Sequence, residues 1–550
     1  MGSVTLGTTH TQSYTAQDIW VTQAMGESLC FICSRPGVRT CELCGVLLCE
    51  AHDKYHRHPE TGACFPFTVD RQAGVGRMVR AARDLAPGEE IWREEEMVVG
   101  PSRRIPPVCL GCGQKVTGET RCGDCGWPVC SDTCPEMWRH VASECEVIRV
   151  SGDSVRDNRE LDDEVCPLYR AIMVLRVLQL EAEDRDYILE FMDHIEDREE
   201  GDADPVVETI RGLWGQEQWS EELVRRVEGI LDVNTVEHRV QVGEGPSGRA
   251  FLPITSLASH SCVSNSFKDK VSVPGWVVTR AKVAISKGEE ITFHYSAGLK
   301  GRLLRRSTLH KGWFFLCGCD RCQHPGERGA ELSSLGCECG GVVRPVRPLD
   351  QETEYRCEEC GAELAREEVQ EREERLRAEL ETCWTTDTVA LEQLLDKHKA
   401  AFHPKHWLIL IIKWLLVTSW GRVAGIKHHQ LEEAVLERKL IYAREYLAAV
   451  DIVDPGISHN RGMTLWEIHA ATSFLANKRF AEERLSPVRF IEMLSECLEA
   501  VREAKFSLQF NKEGSNEEGM RRAACEAEMK LVNGINTFQS MLGIKLKETK

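Results

Sequence analysis

The sequence predicts an α+β protein of several domains, in which cysteine clusters support short strand-rich segments and helices fill the C-terminal third. Of its 25 cysteines, 21 fall in tight clusters that end at Cys360. A pattern of short strands and Gly-containing turns occurs twice, at 67–101 and 276–295. Amphipathic helical stretches recur from about Ala378 onward. At 550 residues, the chain is long enough for three or four domains.

The charge of the chain disfavours several classes of partner. It carries 87 acidic and 68 basic residues, a formal net charge of −19. Such a surface repels phosphate backbones, so direct nucleic-acid binding is not expected, whereas a Lys-rich partner would suit it.

No membrane-spanning helix is expected from the sequence. The longest apolar run, Trp407 to Val417, is about half the length that a bilayer requires and contains Lys413.

The cysteines are expected to bind metal. The N-terminus lacks the basic and apolar stretches of a secretory signal, so we expect reduced thiols in the cytoplasm and/or nucleus. Clustered thiols in a reducing compartment are typical metal ligands. The isolated cysteines are expected to be ordinary buried thiols: Cys166, Cys383, Cys497 and Cys525.

Two segments of one design, 30–64 and 109–145, each contain eight candidate ligands. Both have C-x2-C, seven or nine residues, a second C-x2-C and, after four residues, a fifth cysteine. Five residues separate His52 from His58, as they separate Cys134 from His140, so we predict His58 rather than His56 as a ligand. Pairs in this order predict two interleaved tetrahedral zinc sites per segment, although RING, B-box and MYND modules share that order. The predicted sets are Cys30, Cys33, Cys49 and His52; Cys41, Cys44, His58 and Cys64; Cys109, Cys112, Cys130 and Cys134; and Cys122, Cys125, His140 and Cys145.

Two further cysteine groups follow. Cys317, Cys319 and Cys322 are one ligand short of a tetrahedral site. A later group makes a complete site by itself, with two close pairs: Cys337, Cys339, Cys357 and Cys360.

Three motifs carry a family resemblance. SLASHSCVSN (256–265) resembles the motif SL-x-NHSC-x-PN, and GEEITFHY (288–295) resembles GEEI followed by Tyr. WFFLCGCDRC (313–322) looks like the aromatic and C-x-C-x2-C motif called post-SET. With a zinc finger inserted after the first strands, this order resembles the SET and MYND domain-containing (SMYD) family. The additional N-terminal finger and GPSRRIPPVCLGC (100–112) resemble its arthropod branch.

The resemblance implies a SET-type β fold with an inserted MYND finger, an additional N-terminal MYND-like finger, a post-SET zinc site and a C-terminal TPR-like α-helical domain. It implies these segments: a flexible N-terminus (1–29), a MYND-like finger (30–64), the SET N-terminal part (65–108), the MYND finger (109–145), a helical SET insertion (146–232), the SET C-terminal core (233–296), post-SET and a zinc-ribbon-like segment (297–362) and the TPR-like domain (363–550).

The resemblance also implies an S-adenosylmethionine-dependent protein-lysine N-methyltransferase acting on histone or non-histone substrates. Tyr295 would orient the lysine amine, and Trp313, Phe314 and Phe315 would complete the channel wall. Cys262 would be the fourth ligand of the post-SET zinc, which brings the total to about six ions. The implied cofactor-binding residues are Gly74, Val75, Gly76, Arg77, Asn234, Ser259 and His260.

Three positions depart from the family motif. Ser259 stands where the family has Asn, Ser264 replaces Pro, and Trp313 stands where a second Tyr is usual. The loss of a carboxamide at Ser259 would weaken cofactor binding. The alternative is therefore a catalytically weak or inactive adaptor, whose fingers and helices bind Pro-rich or other peptides. A cross-brace ubiquitin ligase would explain the fingers but not the other motifs.

Overall fold

The computed structural model describes residues 29–33, 35–72, 76–102, 108–117, 119–152, 168–198, 205–238, 248–269, 276–296, 298–422, 427–510 and 515–543. Two compact units divide the chain between Cys64 and Phe65. Of the predicted flexible N-terminus, only Leu29 lies within the described residues, and Gly74 and Val75 lie outside them. Among the described residues, no helix has the length and apolar character needed to span a bilayer.

The first unit, residues 29–64, has very little regular structure. Strand Arg39–Thr40 pairs with Leu47–Leu48, and a 3-10 turn, Glu50–His52, leads into helix Asp53–His56. Its buried apolar side chains other than cysteines are few, namely Ile32, Leu48 and Tyr55, and most of its other buried groups are cysteines and histidines. Apolar burial therefore contributes little to the folding free energy of this unit.

The strands of the second unit form small antiparallel sheets. A hairpin pairs Phe67–Gln72 with Gly76–Ala81. Two three-stranded sheets join strands that lie far apart in sequence. In the first, Val277–Ala281 lies between Glu90–Glu94 and Ser266–Asp269. In the second, Gly248–Phe251 lies between Val98–Pro101 and Thr235–His238. The second finger and several helices are therefore inserted between strands of one β domain, whose core includes Phe67, Trp92 and Phe251.

The two copies of the predicted strand-turn pattern lie side by side. Leu85 and Ile285 exchange backbone hydrogen bonds of 2.9 and 3.1 Å. The segment after the second GEEI, predicted as a strand, makes isolated bridges instead of a regular ladder. It changes partner within a few residues: the N–H of Ile291 donates to the carbonyl of Val79, and Phe293 pairs in parallel with His260. This change of partner brings the SLASHSC and GEEITFHY motifs together.

Helices cover this β domain. The finger contributes Met137–Val141 and Glu144–Ser151. Helix Leu168–Leu178 is buried on nearly every side. The remaining helical segments of the insertion are Ala182–Ile188, Pro205–Val207, the π-helical Glu208–Leu213 and Glu221–Asn234.

Beyond Tyr295, helix Arg302–Trp313 and short helix Asp320–Gln323 flank the third cysteine group. A four-stranded antiparallel sheet then surrounds the fourth, with strands Leu335–Gly336, Val342–Pro345, Tyr355–Cys357 and Glu363–Leu364.

The C-terminal region is helical, and consecutive helices pack on one another. Aromatic pairs such as Trp414 with Tyr446 and Phe480 with Phe490 stack between them, at 4.6 and 4.3 Å between ring centroids. The helices are Arg366–Thr382, Thr388–His398, Trp407–Ser419, Glu433–Val453, His459–Ala481, Pro487–Ser507 and Asn516–Leu542.

The loop at Gly456 attaches these helices to the β domain. Lys282 forms an ion pair with Asp454, and its carbonyl accepts a 3.0 Å hydrogen bond from the N–H of Ile457. Gly456 has φ +74°, and a Cβ there would lie 2.2 Å from the carbonyl oxygen of Lys282. Only glycine satisfies both the backbone conformation and the close approach.

Candidate active site and metal clusters

The first unit contains two clusters of potential metal ligands. One consists of Cys30, Cys33, Cys49 and His52, and their ligand atoms lie within 4.8 Å of one another. The Sγ atoms of Cys33 and Cys49 are 3.7 Å apart, far longer than a disulfide and close to the separation of about 3.8 Å expected between sulfurs on one tetrahedral zinc.

The second cluster of this unit corrects the histidine prediction. It consists of Cys41, Cys44, Cys64 and His56, not His58. Nε2 of His56 lies 3.0 Å from Sγ of Cys44, whereas Nδ1 of His58 accepts hydrogen bonds from the backbone N–H groups of Glu60 and Thr61.

The reason for the correction is helix register. His56 is the fourth residue of helix Asp53–His56, and His140 is the fourth residue of helix Met137–Val141. The first helix begins directly after His52, while two residues lie between Cys134 and the start of the second helix. Counting from the preceding ligand therefore compares different helix positions, and the spacing selects the wrong histidine.

The second finger contains both predicted clusters: Cys109, Cys112, Cys130 and Cys134; and Cys122, Cys125, His140 and Cys145. Nε2 of His140 lies 3.2 Å from Sγ of Cys125, and its Nδ1 lies 2.9 Å from a carboxylate oxygen of Glu144. Glu144 is fully buried, which opposes its ionisation, but Arg176 and His140 outweigh this effect and lower its pKa to about 2. Glu144 therefore orients His140 toward the sulfurs. The i, i+4 spacing of His140 and Glu144 was the available sequence signal.

Two further clusters complete the set. Cys262 joins Cys317, Cys319 and Cys322, as the resemblance implies, and its Sγ lies 3.8 Å from that of Cys317 and 3.6 Å from that of Cys322. In the last cluster, called the ribbon cluster here, the Sγ pairs Cys337–Cys360 and Cys339–Cys357 are 3.6 and 3.5 Å apart.

A cavity of about 360 Å³ lies between the end of helix Glu221–Asn234, the strand that follows it, and the segment 293–296. Three predicted site residues line it: Asn234, Tyr295 and Trp313. The other lining residues were not singled out from the sequence: Val233, Thr235, Val236, Glu237, Thr255, Ser256, Lys268, Phe293, His294 and Ser296.

Tyr295 is held by both its backbone and its side chain. Its hydroxyl donates a 2.7 Å hydrogen bond to the carbonyl of Ala258, and its backbone N–H donates to Nδ1 of His260 at 3.1 Å. Its ring lies 5.3 Å from that of Trp313. Burial raises the pKa of the Tyr295 phenol, so the hydroxyl stays protonated at neutral pH.

His260 links Tyr295 to the Cys262 cluster. Burial lowers the pKa of His260 to about 4, so its ring is neutral at pH 7. Since Nδ1 accepts from Tyr295, the ring proton lies on Nε2, which is 3.3 Å from Sγ of Cys262. His260 is not one of the residues that line the cavity, and its predicted contact with the cofactor stays a prediction.

Asn234 ties the helical insertion to the cavity wall. Its side-chain amide donates to the backbone carbonyls of Met192 and Ile230, both at 2.9 Å. The backbone carbonyl of Asn234 accepts a hydrogen bond from the hydroxyl of Ser256. Behind this wall, the fully buried Glu94 accepts hydrogen bonds from the backbone N–H and hydroxyl of Thr255 and from the indole of Trp92. Its burial raises its pKa to about 7 despite these donors.

Other predicted cofactor residues lie away from this cavity. The guanidinium of Arg77 donates to Glu190 at 2.9 Å and lies 4.5 Å from the ring centroid of Phe191, and neither Arg77 nor Gly76 lines the cavity. The backbone carbonyl of Ser259 accepts from the N–H of Phe293 at 2.9 Å, and Ser259 is likewise absent from the lining.

Three consecutive aromatic residues at the end of helix Arg302–Trp313, namely Trp313, Phe314 and Phe315, point in different directions. Phe314 has φ +57° and ends the helix, and its ring stacks on His194 at 5.2 Å. Phe315 lies 6.0 Å from the His260 ring and does not line the cavity. Trp313 alone of the three lines it, because the left-handed residue reverses the chain.

Comparison with known proteins identifies relatives along part of the chain. No family model matches it. It is 29% identical over 303 residues to SET domain-containing protein SmydA-8, isoform A, of Drosophila melanogaster, covering 54% of this chain and 64% of that protein. It is 24% identical over 275 residues to histone-lysine N-methyltransferase Smyd1 of Mus musculus, covering 46% and 54%. It is 25% identical over 336 residues to histone-lysine N-methyltransferase ASHR1 of Arabidopsis thaliana, covering 55% and 67%.

These matches span less than two thirds of the Drosophila and mouse proteins. The crystal structure of the SET domain of LSMT bound to lysine and AdoHcy aligns with 86% of this chain, but at 11% identity and a TM-score of 0.24, which is too low to support an argument. The paired motifs and six cysteine-containing clusters accompany this sequence similarity. Over about half of its length, the chain is similar to SET domain-containing protein SmydA-8 of Drosophila melanogaster and to histone-lysine N-methyltransferase Smyd1 of Mus musculus.

Proposed function

We propose that this chain is a protein-lysine N-methyltransferase that uses S-adenosylmethionine. The observation that carries the proposal is the convergence of Asn234, Tyr295 and Trp313 on one cavity. Asn234 lies 61 positions before Tyr295 in the sequence, and Tyr295 and Trp313 belong to two different motifs. The family resemblance assigns the three residues to cofactor contact, amine orientation and the channel wall. The histone-lysine methyltransferase names of two relatives support the same reaction class.

The residues of the cavity suit a lysine amine. When bound, S-adenosylmethionine supplies the methyl group that is transferred. Phe293, Tyr295 and Trp313 provide an apolar surface, which favours the neutral amine over the ammonium form that dominates in water. Lys268 in the same wall repels an ammonium group. Glu237, which also lines the cavity, carries a negative charge that offsets the positive charge of Lys268.

Tyr295 would act by orientation. Its hydroxyl proton is engaged by the carbonyl of Ala258, so the phenolic oxygen can accept an N–H from the substrate amine. That contact would direct the nitrogen lone pair toward the methyl group. Because the raised pKa keeps the Tyr295 phenol protonated at neutral pH, no phenolate is present to accept a proton, so proton removal is not assigned to Tyr295.

Calorimetric titration with S-adenosylmethionine and a methylation assay on Lys-containing peptides test the proposal. We expect saturable binding and transfer of the methyl group to lysine. A folded, metal-loaded protein that fails to bind millimolar cofactor would refute the enzyme and leave a peptide-binding adaptor. The substitution at Ser259 favours that adaptor as the second candidate.

Restoring the family residue at position 259 is expected to strengthen cofactor binding. Ser259→Asn adds a carboxamide beside the segment that pairs with Phe293, and one additional hydrogen bond contributes about 0.5–1.5 kcal/mol. Titration should therefore show an affinity increase of about threefold to tenfold. Tyr295→Phe serves as the control, because it should leave cofactor affinity unchanged. Equal or weaker binding by S259N would show that Ser259 is not the defect.

We further propose that zinc occupies the cysteine clusters. Their donor sets are three or four sulfurs with at most one imidazole, and their sulfur separations fit a tetrahedral ion. About six ions would then bind per chain. Retention of thiolate-bound zinc requires a reducing compartment, so we place the protein in the cytoplasm and/or nucleus. Lys-containing proteins are its proposed substrates, and Pro-rich peptides are proposed ligands of the fingers.

A pair of histidine variants tests the cluster that the structure corrects. His56→Ala is expected to lower the zinc content by one ion per chain, since it removes one of four ligands. His58→Ala, two residues away, should keep the wild-type content, because His58 is not one of the four grouped ligands and its ring accepts hydrogen bonds from a local turn. Metal analysis by plasma mass spectrometry on folded monodisperse protein measures both. The opposite pattern would restore His58 as the ligand.

A further inference from the structure

Behind Tyr295, an unusual group of buried charges surrounds the Cys262 cluster. Arg302, Arg305, Arg321 and Glu327 are each at most 1% exposed, although none of them lines the cavity. Charged side chains are rarely buried so completely unless other charges compensate them. The sequence shows these arginines only as part of a basic helix and of the C-x-C-x2-C motif.

Arg305 contacts the cluster directly. Its Nε lies 3.4 Å from Sγ of Cys262, and its Nη2 lies 3.5 Å from Sγ of Cys322. Its remaining nitrogen, Nη1, donates to the carbonyl of Lys300 and forms a 2.6 Å ion pair with Glu327. One planar guanidinium thus spans two sulfurs on one edge and a carboxylate on the other, a geometry that lysine cannot reproduce.

Glu327 fixes the arginines in place. The same carboxylate oxygen accepts from Arg321 at 3.1 Å, and the other oxygen accepts from the hydroxyl of Ser333 at 3.0 Å. Arg321 also donates to the backbone carbonyls of Cys262 and Gly298.

The charges balance around a metal–thiolate centre. Four thiolates around one divalent ion leave two negative charges. Three arginines and one glutamate leave two positive charges, so the buried group as a whole is neutral. The ribbon cluster also has four cysteines, but Cys339 and Cys360 are exposed, and water can solvate their charge.

We propose that Arg305 is a positioning residue for the post-SET metal, which it retains by neutralising and hydrogen-bonding the thiolates of Cys262 and Cys322. The same contacts stabilise Cys262, whose sulfur receives the Nε2–H of His260 and thereby holds the backbone of Tyr295. The inference rests on the metal occupancy proposed above and not on methyltransferase activity.

Site-resolved metal release tests this role. Zinc-loaded protein is mixed with a chelator and a thiol-alkylating reagent, and peptide mass spectrometry follows the labelling of each cysteine. In the wild type, we expect the exposed ribbon cysteines to be labelled first and the Cys262 cluster last. Arg305→Gln should accelerate labelling of Cys262 and Cys322 about 10-fold to 100-fold without changing the ribbon cysteines.

Arg356→Gln is the matched control. Arg356 precedes ribbon ligand Cys357 in sequence, but its side chain is half-exposed and pairs with Glu363, so no labelling rate should change. Acceleration at every cluster in R305Q would indicate general destabilisation and overturn the specific role, as would wild-type rates at Cys262 and Cys322.

A second variant covers failure of R305Q to fold. Arg305→Lys keeps the charge but reaches one sulfur at most, so labelling of the Cys262 cluster should be faster than in the wild type and the ribbon should be unchanged. Wild-type labelling in R305K would then refute the proposal. A wild-type protein that purifies from zinc-supplemented cells without metal in this cluster would refute the occupancy itself, independently of Arg305.

Discussion

Replacing Tyr295 with phenylalanine is expected to lower the rate of lysine methylation about 10²-fold, the scale associated with losing the alignment of a reacting group. The variant loses only the hydroxyl that bonds to Ala258 and would orient the amine. Because the change acts on orientation, kcat should fall while cofactor affinity stays near that of the wild type. A peptide methylation assay with calorimetry on the same preparation measures both quantities.

Tyr187→Phe is a matched control for this prediction. The Tyr187 hydroxyl likewise donates a 2.7 Å hydrogen bond to a backbone carbonyl, that of Pro253. Tyr187 is buried, whereas Tyr295 is half-buried, and Tyr187 does not line the cavity. Each variant should lose about 1 kcal/mol of stability from its hydrogen bond, and only Y295F should lose activity. Equal activity in the two variants would remove Tyr295 from the reaction.

Chelation of bound metal is expected to unfold residues 29–64 completely. Structural zinc supplies about 10–16 kcal/mol to small finger domains, far more than the few buried apolar side chains of this unit can provide. The C-terminal helices have an extensive apolar core that contains no predicted metal ligand, apart from Cys357 and Cys337 at its ribbon edge. We therefore expect them to remain folded.

Limited proteolysis followed by mass spectrometry measures this difference. After chelation, new cleavage should appear within 29–64 and at the second finger, while Trp407–Leu542 stays protected. Returning zinc under reducing conditions should restore the original pattern. Protection of 29–64 after verified metal loss would contradict the prediction. Cys383→Ser, which changes a thiol outside every cluster, should behave as the wild type throughout.

Local spacing was sufficient to predict the grouping of most of the clustered cysteines and histidines. A C-x2-C pair leaves little freedom in how two thiols are presented, so ligand identity can be read from sequence with almost no knowledge of the fold. The exception, His56 in place of His58, arose where a helix begins at a different distance from the preceding ligand. Ligand spacing is transferable only when both copies share the same helix register.

The cavity depended much more on tertiary structure. Asn234, Tyr295 and Trp313 were named from motifs, but Lys268, Glu237 and Thr255 belong to no motif and reach the wall only through strand pairing and helix packing. Phe315 shows the converse: it was named from its motif, yet the left-handed Phe314 turns it toward His260. Arg77 was likewise named as a cofactor residue and pairs with Glu190.

The sequence by itself predicted the family resemblance, the cysteine groups and the tyrosine that is proposed to orient the amine, because short motifs with fixed spacing encode them. Tertiary structure alone decided which histidine completes the second cluster, which side chains line the cavity and how buried arginines surround Cys262. These features depend on helix register, on the reversal of the chain at a single residue and on charge balance among segments far apart in sequence. Burial and pairing between distant segments determine the histidine, the cavity lining and the buried arginines, and none of these can be predicted from local spacing.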